Sequence, residues 1–523
     1  MIRLTIHMLK KMDRLEDAVE SEYKGKIQKV AIKDCDEAIL VFKDPRDSKP
    51  DWFDYLKPIK ANLPETLSSP SALLIIKTNE SIFGVTMGFG RFILNLNKVI
   101  SDFGLKVCLN SIPSNKIKTL DKTNLEQIGF HTRQQAAIPM DFNTFNIEIE
   151  RDLLKSVEGH LENGIAPYLK GSSSLTISTD KEISELASLC ISLKKAYHKD
   201  TYKKEFGWID NIKLLKDDQQ IGKLNLLLEQ SLLEEQYEKI FLGAPEIVND
   251  EIVGHYQFIG LRDTSKYSIF PSIEQYMVQR TTAQTKKTSL IEATQSDRLE
   301  AMDRDKKNPS KVYKWTIYRC LHAEIEDDNK TYKLLDGDWY EVSEDFIKDI
   351  DNTINQIPIS NIAFPNMGLT EKEATYNITV ANQLSAACLD RDLIHPPGRT
   401  PFEFCDIFTK DSHLIHIKKY TGASAMSHLL YQAYVSGQLY GQNPDIRSEV
   451  EKKSSIQQRG IAHLANPKDF STNNYEIIIA VATVKNKPIK KVLSFFSKVS
   501  LAHKYKVLKG LGYRVTIAKI QIA

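Results

Sequence analysis

The chain of 523 residues contains no uninterrupted run of about 18 apolar residues, so no transmembrane helix is predicted. Its first segment, MIRLTIHMLKKMDRLEDAVE, lacks the apolar core and small-residue cleavage site of a signal peptide. The expected location is therefore cytoplasmic, with no membrane partner. Cysteine is sparse: Cys35, Cys108, Cys190, Cys320, Cys388 and Cys405 stand far apart, with no CxxC pair. That excludes zinc-ribbon spacing and a disulfide framework. Internal repeats and low-complexity tracts are also lacking, and the net charge is only +2.

That small net charge conceals an asymmetry. Residues 401–523 carry 18 Lys and Arg against 8 Asp and Glu, a net of +10, while the rest of the chain nets −8. A basic C-terminal region on an acidic body points to a polyanion handled at that end, nucleic acid above all. What remains is ordinary globular composition, 41% hydrophobic and 26% charged.

Hydrophobic patterning predicts an α/β chain of several domains. Residues 1–140 read as an N-terminal α/β domain with a sensing or regulatory role. KVAIKDCDEAILVF and SALLIIKTNESIFGVTMG carry β-branched strand runs, with a hairpin turn at Asn79-Glu80-Ser81. Gly88-Phe89-Gly90-Arg91 reads as a glycine-rich strand end, because no Walker-type Lys-Ser/Thr follows that would make it a phosphate loop. Residues 141–305 form a middle α/β domain, and a boundary is expected near 305–312.

Residues 310–523 give the clearest order of elements. YKWTIYRCLHAEI and TYKLLDGDWYEV read as two strands, followed by helices in EDFIKDIDNTINQI and EKEATYNITVANQLSAA. The strand PFEFCDIF turns at Lys410-Asp411-Ser412 into HLIHIKKY. Next come a helix in AMSHLLYQAYVSGQLYG, a buried strand YEIIIAVATV, a basic helix IKKVLSFFSKVSLAHKYKVLKGLG and a final strand YRVTIAKIQ. Strand alternation puts Leu414, His416 and Lys418 on one face, and Ile415 and Ile417 on the other.

This order resembles the restriction-endonuclease-like, or PD-(D/E)xK, nuclease core, a mixed sheet flanked by helices. That family sets an Asp on one strand and an acidic-x-Lys triplet on the next; here Asp406 is followed, after nine intervening residues, by His416-Ile417-Lys418. The resemblance implies a catalytic set of Asp406, His416, Lys418 and Gln432. The metal ligands would be Asp406, His416 and helix-borne Glu373, with Glu371 as the alternative. Carboxylate oxygens suit Mg2+ or Mn2+, and a Lys at position 418 would offset charge on the phosphate. His416 stands where an acid is usual, which leaves it as a ligand for Mn2+ or later metals or as a general base. Ser424, Ser427 and His428 on the next helix, with Lys490, Lys491, Lys498 and Lys504 near the end, are the expected nucleic-acid contacts.

Over most of its length the chain resembles a sporadically distributed bacterial family of unknown function, associated with mobile and antiphage-defence islands. Segments carrying this resemblance include Trp208-Ile209-Asp210, Tyr318-Arg319-Cys320-Leu321, Gly337-Asp338-Trp339-Tyr340, Leu389-Asp390, Glu403-Phe404-Cys405-Asp406 and Ser427-His428-Leu429. It implies a defence effector that cuts nucleic acid, DNA before RNA, by metal-dependent phosphodiester hydrolysis. Homo-oligomers, or a phage or defence-system protein, are the further partners. The alternative is the same fold without catalysis, serving as a binding or regulatory subunit.

Overall fold

Two β-branched runs meet at Asn79-Glu80, and the structure closes them into a hairpin. It is a computed structural model that describes residues 2–43, 71–124, 131–161, 165–248, 252–261, 266–267, 270–282, 289–303, 311–396 and 400–523. Strands Ser71–Thr78 and Ser81–Met87 pair antiparallel, with Thr78 opposite Ser81. Asn79 and Glu80 have φ values of 45° and 61°, the left-handed pair that matches a two-residue turn to the twist of its strands.

The hairpin belongs to a ten-stranded sheet, in which Ile2–Leu9 pairs with both Ser81–Met87 and Leu175–Thr179. Strands from either side of position 140 therefore share one sheet. Helices Phe103–Ser111 and Leu186–Tyr197 pack onto it through Phe103, Val107, Leu189 and Leu193. The GxGR segment lies at the end of Ser81–Met87. A Cβ on Gly90 would fall 2.0 Å from the Ala72 carbonyl oxygen, so close backbone approach accounts for that glycine.

Residues 212–342 contribute two antiparallel sheets, of five and four strands. The stretch expected as one strand, YKWTIYRCLHAEI, is divided between them. Thr316 Oγ1 accepts the Arg319 N–H and caps a short helical turn, Ile317–Cys320, which carries the chain from one sheet to the other. The boundary expected near 305–312 falls largely on 304–310, outside the described residues; Arg298–Asp303 and Lys311–Thr316 pair across it.

The C-terminal unit is built on a five-stranded sheet. Its elements are α1 (Glu373–Gln383), β1 (Ala387–Cys388), β2 (Ile407–Phe408), β3 (His413–Lys419), α2 (Ala423–Gln442), β4 (Glu476–Thr483), α3 (Phe495–Gly510) and β5 (Arg514–Gln521). The strands lie side by side in chain order. Strand β2 is antiparallel to β1 and β3, while β3, β4 and β5 are mutually parallel. Both faces are covered, as parallel strands require. Leu414, Ile477, Ile479 and Val481 pack with α2 and α3. Ile415, Ile417, Ile478 and Ala480 pack with Tyr376 and Val380 of α1. The described residues are thus mixed α/β, with several antiparallel sheets and one mixed sheet. Among the described residues no helix is long and apolar enough to cross a membrane.

Glu80 holds a left-handed conformation that an L side chain disfavours by roughly 1–2 kcal/mol, whereas glycine adopts it freely. We expect Glu80→Gly to raise unfolding stability by about 0.5–1 kcal/mol after its added unfolded-state entropy. Urea denaturation measures this, and a destabilised variant would contradict the turn assignment.

Candidate functional site

The parallel pairing of β3 with β4 leaves the Ile417 N–H pointing toward the β2 side, where the ladder has ended. The Asp406 carboxylate takes the place of a strand: its Oδ2 accepts that N–H at 2.6 Å. Its own N–H donates to the Ile415 carbonyl at 3.0 Å. Asp406 therefore sits just ahead of β2, locked to β3 by both its main chain and its side chain. Burial pushes its carboxyl up to about 7 against the opposing Ile417 hydrogen bond, and the negative charges of Asp390, Glu403 and Glu373 push the same way.

Three of the expected partners gather here. Glu373 opens α1 with one oxygen 2.9 Å from Lys418 Nζ and the other accepting the Lys419 N–H at 2.9 Å. Gln432, on α2, donates to Glu403 Oε2. Glu371 is not part of the group. Its carboxylate accepts the Gly368 N–H at 2.9 Å, and only its backbone carbonyl reaches Lys419.

His416 requires a correction. Alternation along β3 sends it, with Leu414, into the layer beneath α2, where it is 2% exposed. Burial drives its imidazole down to about 3, and its Nε2 lies 3.3 Å from Ser436 Oγ. At that exposure the ring is closed off from a substrate or a hydrated ion, and this burial, not its protonation state, takes His416 out of the catalytic and metal sets. Among the described residues no three His, Cys, Asp or Glu side chains form a ready metal cage. Asp406 instead feels the charges of Asp390, Glu403 and Glu373, of which Glu373 is paired with Lys418.

The expected nucleic-acid contacts disperse. On α2, His428 is exposed and Ser427 is buried; the side chain of Ser424 lies outside the described residues. The terminal lysines do not form a track. Lys504 is 1% exposed, with its ammonium 4.4 Å and 4.8 Å from the ring centres of Tyr431 and Tyr434. Lys498 pairs with Asp351 at 2.8 Å, and Lys490 donates to the Asn355 carbonyl at 3.0 Å. Lys491 is exposed. The α3 N-terminus, a natural anion site, is already filled: both Glu324 oxygens accept from it, at 2.8 Å from Phe495 N and 3.2 Å from Phe496 N.

Two acids of the cluster escaped sequence reasoning. A regular strand would turn Glu403 and Asp406, three residues apart, to opposite faces, but residues 404–406 are not regular strand, so the alternation is lost between them. Asp390 gave no signal beyond its place beside Leu389, whose N–H donates to the Asp406 carbonyl at 2.8 Å.

A family model described as a family of unknown function, DUF6119, matches residues 4–521, and the chain belongs to that family. No curated protein and no solved structure matches it.

The raised Asp406 pKa has a definite sign. The ordinary carboxyl ionises near 4, so the native state loses stability as pH climbs from there through about 7. Asp406→Asn keeps an acceptor for Ile417 and carries no charge. We expect it to match wild type below pH ~4 and to exceed it by roughly 1–3 kcal/mol above pH ~8, a range discounted for partial exposure of the carboxyl. Thermal unfolding across pH checks this; equal curves at high pH would contradict the charge cluster.

Proposed function

Starting from membership of that family, we propose that the C-terminal unit is a metal-dependent nuclease of restriction-endonuclease-like type. It would act on DNA in preference to RNA, as the effector arm of a bacterial antiphage defence. The observation that carries this reading is the gathering of Glu373, Asp406 and Lys418 at one end of a mixed sheet. The elements there run α-β-β-β-α-β, with the second strand antiparallel to its neighbours. The defence setting rests on the chain-wide resemblance.

Asp406, with Glu403 or Glu373, would supply the oxygens that hold Mg2+ or Mn2+. A divalent cation there polarises a phosphate and acidifies a bound water. Lys418 offsets the charge that builds on the phosphate oxygens, and Glu373 positions the Lys418 ammonium until substrate competes for it. Gln432 fixes Glu403 through its amide. Asp406 ionises near neutral pH, so activity should rise with pH through that range.

Plasmid, linear duplex and RNA substrates, each with Mg2+ and with Mn2+, test the reading. Wild type should cut at least one of them. Asp406→Asn and Lys418→Ala should cut it about 100-fold more slowly, the scale of losing one charge-stabilising group. Absence of cleavage by wild type, or variants as active as wild type, would overturn it. The burial of His416 favours one rival, a unit that binds nucleic acid without cutting it. That rival predicts no cleavage, but an affinity that falls steeply with salt.

A further inference from the structure

Between the ten-stranded sheet and the sheets of residues 212–342 lies a cleft of about 1810 Å3. Its lining runs from Thr5 to Tyr340 and takes nothing from the C-terminal unit, so it is independent of the Asp406 cluster and of the nuclease reading. Small-molecule pockets typically span roughly 300–1000 Å3, so the cleft has ample room for a ligand of that class.

The wall is electrostatically one-sided, with thirteen Lys and Arg against eight Asp and Glu. Many of these cations are matched, but not all. Lys10 and Lys98 lie side by side, the Lys10 N–H donating to the Lys98 carbonyl at 2.8 Å. Among the described residues neither has a carboxylate partner within ion-pair distance. Arg91 and Arg319 both act on Glu246, and Arg319 and Lys10 also act on Asp338. Burial alone would raise the Glu246 carboxyl, but Arg91 at 3.1 Å, the Trp315 hydrogen bond and the Arg319 charge outweigh it and hold it below its usual range.

A second feature lies in the cleft wall. His7 lines the cleft, is 3% exposed, and is held neutral by burial and by the charge of Arg91. Its Nε2 sits 3.4 Å from Thr86 Oγ1, and its Nδ1 has no protein partner. A buried polar atom without a partner costs about 1–3 kcal/mol, and a ligand in the cleft would satisfy it. The GxGR segment, whose sequence alone reads as a strand end, is what brings Arg91 to this wall.

We infer that the cleft binds a small molecule bearing two or more linked phosphates, seated against Lys10, Lys98, Arg91 and Arg319 with His7 Nδ1 as a further polar contact. Cations that outnumber acids along an open cleft suit such an anion. Occupancy would tie the N-terminal sheet to residues 212–342, so the ligand would act as a signal read by this half of the chain.

Isothermal titration of the full chain with inorganic triphosphate and with ATP, in chelator, tests this. Saturable one-to-one binding of at least one probe is expected. The double variant Lys10→Glu/Lys98→Glu should weaken it by about 10-fold or more. The same charge change at Lys348 and Lys468, outside the cleft, should leave it unaltered. Tighter binding of ATP than of triphosphate identifies a nucleotide, and equal binding identifies the phosphate chain alone; both support the inference. No saturable binding at millimolar probe overturns it. So does a folded cleft variant that binds as wild type does. Should the double variant fail to fold, the single Lys10→Gln change decides: a weakening upholds the inference and none overturns it.

Discussion

The C-terminal unit depends on a strand pair buried on both faces. Residues 477–482 of β4, with Leu414, Ile415 and Ile417 of β3, enter one of two apolar layers, so the backbone groups there must find their partners within the protein. Where β2 ends, the Ile417 N–H has no strand to meet, and an unmet buried donor costs about 1–3 kcal/mol. The Asp406 carboxylate meets it. The same constraint that satisfies the donor draws a carboxylate out of water and up against Asp390, Glu403 and Glu373. The electrostatic tension of the candidate site is thus a consequence of how the sheet edge is closed.

Charge elsewhere follows a different logic. The +10 of the last 123 residues is balanced within the molecule to a large degree. Glu324 caps α3, Asp351 pairs with Lys498, and Glu150 accepts two contacts from Lys506. Lys333, buried beside Glu324 and 4.6 Å from the Phe496 ring centre, is brought down to about 8 by desolvation. The acidic body and the basic tail hold one another, so the charge asymmetry reports packing between units as much as any outside polyanion.

These contrasts explain what was legible in the sequence. The Asn79-Glu80 hairpin, the Ser343-capped helix with Phe346, Ile350 and Ile354 buried, and the doubly buried β4 were readable because local pattern and tertiary role agree. The split of YKWTIYRCLHAEI was not, because a single capping threonine redirects a β-rich run between sheets. At the site, alternation on β3 placed His416 and Lys418 on one face. Position along the strand then separates them: His416 lies under α2, while the longer Lys418, near the strand end, reaches Glu373. Lys504 looked solvent-facing in a basic helix, and only the tyrosines of α2, remote in sequence, reveal it as core.

We propose that the carboxylates around Asp406 form a divalent-cation site. The most direct test is calorimetric titration of Mn2+ into the full chain slightly below pH 7, in buffers of different ionisation enthalpy. Binding at one site with release of a proton is predicted, because Asp406 is partly protonated there and must ionise to bind. Both the binding and the proton release should vanish in Asp406→Asn. Undetectable Mn2+ binding, or binding that the Asn variant retains, would contradict the account.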